Sequence, residues 1–380
     1  MKLYAPYGSE GFNLYIDGVM DSIAKRFEKL FSRDELSALV LGGGYGRGEG
    51  GVLHLADGTE KLYNDLDFFV ISKQTNPWKN SQISLKLKHL HHELSDEYGV
   101  EVDFSACMPI NSLDKLPPYL IWYDLINGYQ VIWGNKHALH TVPRWEANDL
   151  EPVEAVKLLL NRGMGLYFSR KYLSLEKPEP HLDFINRNIH KAYQAMTEAI
   201  LIVEGQYHWS VKERMRLISI PDIGKYLSNP AFLDLAQAGM DFKLKPYLPT
   251  ESPEELKERL SQTLIDFEEL YYAVWAAFFG VSNLNLDTYH RLLASYKDSE
   301  NSLMSLAKNF ALNLRDIGLS PGSLNEYIKY PRYRLFYALP WLLFDAPISL
   351  SNLAPILGLA HGADAESLRQ RYVSLWQRYN

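Results

Sequence analysis

One cysteine, Cys107, stands among 380 residues. No disulfide can close within the chain, and a reducing cytoplasm is the expected setting. Basic residues are not in excess: 39 Lys and Arg stand against 46 Asp and Glu, for a net charge of −7. Proteins that grip a nucleic-acid backbone usually carry a basic face, so a nucleic-acid partner is not expected. A small anion held by a few local cations or by a metal remains compatible with this balance. No apolar run reaches the ~18 residues of a membrane-spanning helix. The most apolar helical stretch, Tyr271 to Val281, is too short to span a bilayer. The opening MKLYAPYGSEGF has no long apolar core of the signal-peptide kind. Internal repeats and low-complexity tracts are absent as well. No membrane association is expected.

The residues that are present, 47% hydrophobic and 22% charged, can build large cores. Residues 11–33 repeat apolar side chains at helical spacing, and Ala38 to Leu41 reads as a short buried strand. Val52 to Tyr63 carries Asp57-Gly58 between alternating runs and reads as a hairpin. Asp65 to Ser72 and Val100 to Ala106 read as strands, with a helix over Ser81 to Tyr98 between them. Beyond about residue 145 the pattern becomes helical: Glu151 to Tyr172, Phe184 to Glu204, and a helix opened by SPEELKERL that runs to Phe279. Helices around 299–316, 323–345 and 364–379 complete it. The expected architecture is an α+β domain with a mixed sheet over 1–145, followed by an all-α domain over 146–380.

Chemistry concentrates in the first part. LGGGYGRGEGG, residues 41–51, holds seven glycines directly after an apolar strand. Glycine in a helix or strand interior costs roughly 0.5–1 kcal/mol relative to alanine, so this stretch is built for something other than regular structure. A strand, a glycine turn and a helix start expose several backbone N–H groups together, an arrangement that suits phosphate. Arg47 is the only cation in the run and is a candidate phosphate ligand. Asp65 and Asp67 alternate along a strand and so project to one face. Asp103 lies on a strand that could neighbour theirs. Three carboxylates on two strands suit hard cations such as Mg²⁺, and can hold two of them for phosphoryl transfer.

Leu41-Gly42-Gly43-Gly44, Asp65-Leu66-Asp67-Phe68 and Asp103, in this order, resemble the DNA polymerase beta-like nucleotidyltransferase superfamily. Gly43-Gly44-Tyr45-Gly46-Arg47-Gly48-Glu49 is similar to the Gly-Ser-x-Ala-Arg-Gly-Glu/Asp stretch of its minimal and antibiotic-modifying members, with Gly44 in place of serine. Twenty residues separate Gly44 from Asp65, more than in the short members, and the inserted Glu49 to Tyr63 segment is the expected hairpin. The resemblance implies an enzyme that transfers a nucleoside monophosphate from a nucleoside triphosphate, with ATP the expected donor, and releases pyrophosphate. It implies two Mg²⁺ ions held by Asp65, Asp67 and Asp103, the last also helping to deprotonate the acceptor. It implies that Gly43 and Gly44 hold the triphosphate. It implies further that a helical domain closes the cleft and offers a lysine, for which Lys191 is the candidate, with Lys212 next.

The expected acceptor is a small hydroxyl-bearing molecule. Two alternatives are nucleotidylation of a protein or RNA, and a nucleotide-binding scaffold that has lost catalysis. In the cluster His89, His91, His92 and Glu93 only His89 with His92 or Glu93 shares a side, which argues against a metal site, and the charged flanks read as a solvated helix face. Cys107 reads as a buried strand-end residue without catalytic work.

Overall fold

The computed structural model describes residues 2–296, 303–318 and 324–380. The chain is mixed α/β, with one small mixed sheet and many helices. In chain order the elements begin with α1 (Glu10–Leu30), β1 (Leu36–Leu41), α2 (Gly43–Gly46), β2 (Val52–His54), β3 (Glu60–Leu62), β4 (Leu66–Ser72) and α3 (Pro77–Tyr98). They continue with β5 (Val102–Phe104), β6 (Met108–Pro109), α4 (Leu120–Asn127), β7 (Gln130–Gly134), α5 (Pro152–Leu173), α6 (Leu182–Val203), α7 (Val211–Leu217) and α8 (Phe232–Leu244). The last are α9 (Pro253–Phe279), α10 (Leu286–Ser295), α11 (Leu303–Ile317), α12 (Leu324–Tyr327), α13 (Arg332–Phe344), α14 (Leu350–Leu357) and α15 (Ala365–Tyr379). None of these described helices is long and apolar enough to cross a membrane.

Two compact units form. The first joins Met1–Glu154 to Glu204–Pro221 and Leu233–Pro249; the second joins Ala155–Val203, Asp222–Phe232 and Thr250–Asn380. Two stretches that read as part of the helical region, 204–221 and 233–249, thus cluster with the sheet.

In the first unit the strand order is β5-β4-β1-β7, with β6 also on β4. β1 runs antiparallel to both β4 and β7, while β5 and β6 run parallel to β4. LSALVL and LDFFVIS are nearly continuous apolar runs because both faces of this sheet are covered. Leu39, Leu41, Phe68 and Val70 face a core built with Ile16, Met20, Ile23 and Phe27 of α1 and Ile83, Leu87, Leu90 and Leu94 of α3. Ala38, Val40, Phe69 and Ile71 face a second core with Leu125 and Ile126 of α4. The expected strand over 100–106 is interrupted: β5 stops at Phe104, and Ser105 Oγ accepts the Val70 N–H at 3.1 Å in place of a ladder bond. The expected hairpin is β2 with β3, antiparallel, its turn at Asp57 and Gly58.

Among the described residues the second unit contains helices and no strand. α9 starts as its sequence dictates, with a reciprocal capping box between Ser252 and Glu255 and Pro253 in its first turn. It ends at Gly280, which adopts the left-handed conformation. Trp275 and Tyr271 of α9 are fully buried, and the Tyr271 and Tyr289 hydroxyls bond at 2.9 Å. From Leu324 onward the expected helix over 323–345 is two helices, α12 and α13, with Pro331 at the start of the second, and residue 323 lies outside the described residues; a proline ring cannot continue the helix that precedes it. Residues 299–302 of the expected 299–316 helix lie outside the described residues.

Candidate functional site

The glycine run does two jobs. Gly43 opens α2 with φ +59°, and a β-carbon there would overlap Asp67 Oδ2, so the Asp67 carboxylate lies directly on this glycine. The Gly42 N–H donates to the Asp67 carbonyl at 2.8 Å, which ties the turn to β4 at the same residue. The later glycines serve packing. Gly50 lies against the ring of Tyr45, a buried residue whose hydroxyl donates to the Gly51 carbonyl at 2.7 Å. Gly51 is hemmed in by Asn64 and by the Lys243 carbonyl. Gly44 has the Glu49 carbonyl 3.2 Å from where its β-carbon would stand.

The three aspartates come together. Asp65 stands just before β4, and Asp67 is the second residue of that strand. The parallel register pairs Asp67 with Asp103 and Leu66 with Val102. Leu66 and Val102 point into the α1/α3 core, so the alternating positions Asp65, Asp67, Glu101 and Asp103 belong to the opposite side. Glu101 is a fourth carboxylate that sequence reasoning passed over; its signal was the same alternation, in VEVD. Asp65 and Asp67 are half-buried, while the Asp103 side chain is 52% exposed. Partial burial raises the proton affinity of the Asp103 carboxyl above its ordinary value; His91 opposes the rise and Asp65 adds to it.

His91 does not belong to a solvated face. Its Nδ1 lies 2.9 Å from the Val102 carbonyl and 3.5 Å from Asp103 Oδ1. With Glu101 and Asp103 it forms a group whose ligand atoms fall within 4.8 Å of one another. Helical periodicity placed His91 against its neighbours on α3 but could not show which strand edge α3 would meet.

Arg47 lies elsewhere in the unit's chemistry. Its side chain is only 6% exposed, with Nη1 3.2 Å from Asp124 Oδ2 and Nε 3.7 Å from Glu49 Oε2. Gly128 leaves the space that its aliphatic stem fills. Asp124 also accepts the Tyr207 hydroxyl at 2.9 Å, and Tyr207 accepts from Arg214 Nη1 at 3.0 Å. Glu49 Oε1 accepts Ser210 Oγ–H and the Val211 N–H, both at 2.9 Å, at the start of α7. The Arg-Gly-Glu part of the glycine run therefore anchors the segment 207–214 within the first unit. Lys191 lies on α6 in the second unit, half-buried. Cys107 lies between β5 and β6, half-buried against the core.

No family model matches this chain, and no curated protein matches it.

What the first unit assembles is a set of oxygen donors on adjacent strands beside a glycine turn. Among the described residues, neither Asp65 nor Asp103 has a lysine or arginine within ion-pair distance. Carboxylates crowded in this way repel unless a proton or a cation lies among them.

Proposed function

We propose that the chain is a nucleotidyltransferase that moves a nucleoside monophosphate from a nucleoside triphosphate, ATP first among the candidates, to a hydroxyl of a small acceptor. The observation that carries this reading is the parallel register of Asp67 with Asp103, set beside a glycine turn whose Gly43 lies on the Asp67 carboxylate. The donors are hard oxygens and, at Asp65 and Asp103, uncompensated by Lys or Arg, which fits Mg²⁺. Asp65, Asp67 and Asp103 would hold the ions, with Glu101 beside them. Bound there, Mg²⁺ supplies charge stabilisation to the phosphoryl oxygens.

The chain's own residues supply position and proton transfer. Gly43 and Gly44, whose missing side chains make room for the Asp67 carboxylate and the Glu49 carbonyl, would meet the triphosphate through their backbone N–H groups. Asp103 takes the proton of the acceptor hydroxyl as that oxygen bonds to the α-phosphorus and pyrophosphate leaves. A cytoplasmic setting goes with a nucleoside triphosphate donor.

The burial of Arg47 withdraws the turn's only cation from a bound phosphate in either reading, the transferase or its alternative, a nucleotide-binding module without transfer. Thermal shift with ATP, GTP, CTP and UTP, each with and without Mg²⁺, beside Asp65→Asn, separates these readings when followed by pyrophosphate release with polyol acceptors. Mg²⁺-dependent stabilisation lost in the variant, with pyrophosphate released, supports the enzyme. Stabilisation without release supports the module. No stabilisation by any nucleotide refutes both.

A further inference from the structure

β5 is an edge strand of three residues, and only its inner side pairs with β4. The outer backbone groups of Val102 are both taken by α3. The Val102 N–H donates to Ser95 Oγ at 3.0 Å, and the Val102 carbonyl faces His91 Nδ1 at 2.9 Å. His91 and Ser95 stand four residues apart, one turn along the same helix face. A carbonyl can only accept, so Nδ1 carries the proton and His91 is held in that tautomer. The same Nδ1 lies 3.5 Å from Asp103 Oδ1. One imidazole thus fixes the backbone immediately before Asp103 and stands beside its carboxylate.

We propose that His91 is the positioning residue of Asp103: it holds β5 in register and aims the Asp103 carboxylate toward Asp65 and Asp67. The proposal rests on the nucleotidyltransferase reading for its consequence in catalysis. It needs α3 and β5 to move as one piece, and the Gly99 turn that joins them, left-handed at φ +69°, keeps the connection short. Exposure makes the positioning necessary. Asp103 is half-exposed on a short edge strand, so its own packing does not fix its rotamer. Groups that orient a ligating carboxylate typically carry ~10- to 100-fold in affinity or activity.

The test compares His91→Leu, His91→Asn and His91→Gln with the wild type and Asp103→Asn. Steady-state pyrophosphate release is measured with the nucleotide found above. An asparagine amide N–H can stand near the Nδ1 position, whereas glutamine places its amide nearer Nε2. The expected result is a kcat lowered by about 10- to 100-fold in His91→Leu, with KM for the nucleotide little changed. His91→Asn should recover most of the loss and His91→Gln little of it. A second readout needs no turnover: ¹⁵N spectra of the histidine side chains at one neutral pH. The His91 signal should report a proton on Nδ1 and should move in Asp103→Asn.

Wild-type kcat in His91→Leu, while Asp103→Asn is inactive, would overturn the proposal. So would equal impairment of all three His91 variants together with a lowered melting temperature, which is what a packing role predicts. Failure of the nucleotidyltransferase reading looks different: the wild type itself releases no pyrophosphate with any nucleotide. The spectra then decide the contact alone, and an unmoved His91 signal in Asp103→Asn overturns it.

Discussion

Gly43→Ala separates backbone strain from damage to the site. At φ +59° an alanine is tolerated in the left-handed region at a cost of about 1–2 kcal/mol. Its β-carbon also falls on Asp67 Oδ2, so the carboxylate has to retreat. A retreat of about 1 Å at a reacting centre costs on the order of 100-fold in rate. Gly58→Ala is the matched control: Gly58 has φ +84° at the hairpin turn, and open space surrounds the position its β-carbon would take. Both variants should lose about 1–2 kcal/mol in urea unfolding. Only Gly43→Ala should lose Mg²⁺-dependent nucleotide stabilisation and pyrophosphate release. Equal nucleotide binding and equal turnover in the two variants would refute the claim that Gly43 exists to seat the Asp67 carboxylate.

Two more predictions concern buried charge. Arg47→Met removes the partner of Asp124 and Glu49 from a nearly closed site, so unfolding should become easier by about 3 kcal/mol, as expected when one member of a buried pair is deleted. A variant of wild-type stability that had lost only nucleotide affinity would show instead that Arg47 serves phosphate. In the second unit, burial and then the nearby Arg259 hold the His190 pKa down to about 3. His190 therefore stays neutral in the fold and protonates near pH 6.5 once unfolded. The unfolded state binds the extra proton, so stability should fall by ~1.4 kcal/mol for each pH unit below 6.5, down to about pH 3. Urea unfolding of wild type and His190→Gln across this range should show that component of the slope vanish in the variant.

Local pattern determined a good deal of this protein. The capping box at Ser252 and the glycine at 280 set both ends of a 27-residue helix, because those signals act within one turn of the chain. The hairpin at Asp57-Gly58 and the apolar runs of β1 and β4 were equally readable. So was the placing of Asp67 and Asp103 on strands, with Asp65 one residue short of β4, since alternation along a strand is a property of the strand itself. The sequence did not announce β7, whose residues Gln130–Gly134 are only half-buried for the most part and carry little periodicity until β1 pairs with them.

Tertiary structure alone decided the rest. It paired Asp67 with Asp103 across a parallel register, which depends on how α3 returns the chain. It turned Arg47 inward to Asp124, seventy-seven residues along the chain. It drew the segments 204–221 and 233–249 out of the helical stretch and into the unit of the sheet. It also gave His91 an edge strand to hold. Each of these is a contact between residues far apart in sequence, and its partner is chosen by packing, which composition and spacing do not encode.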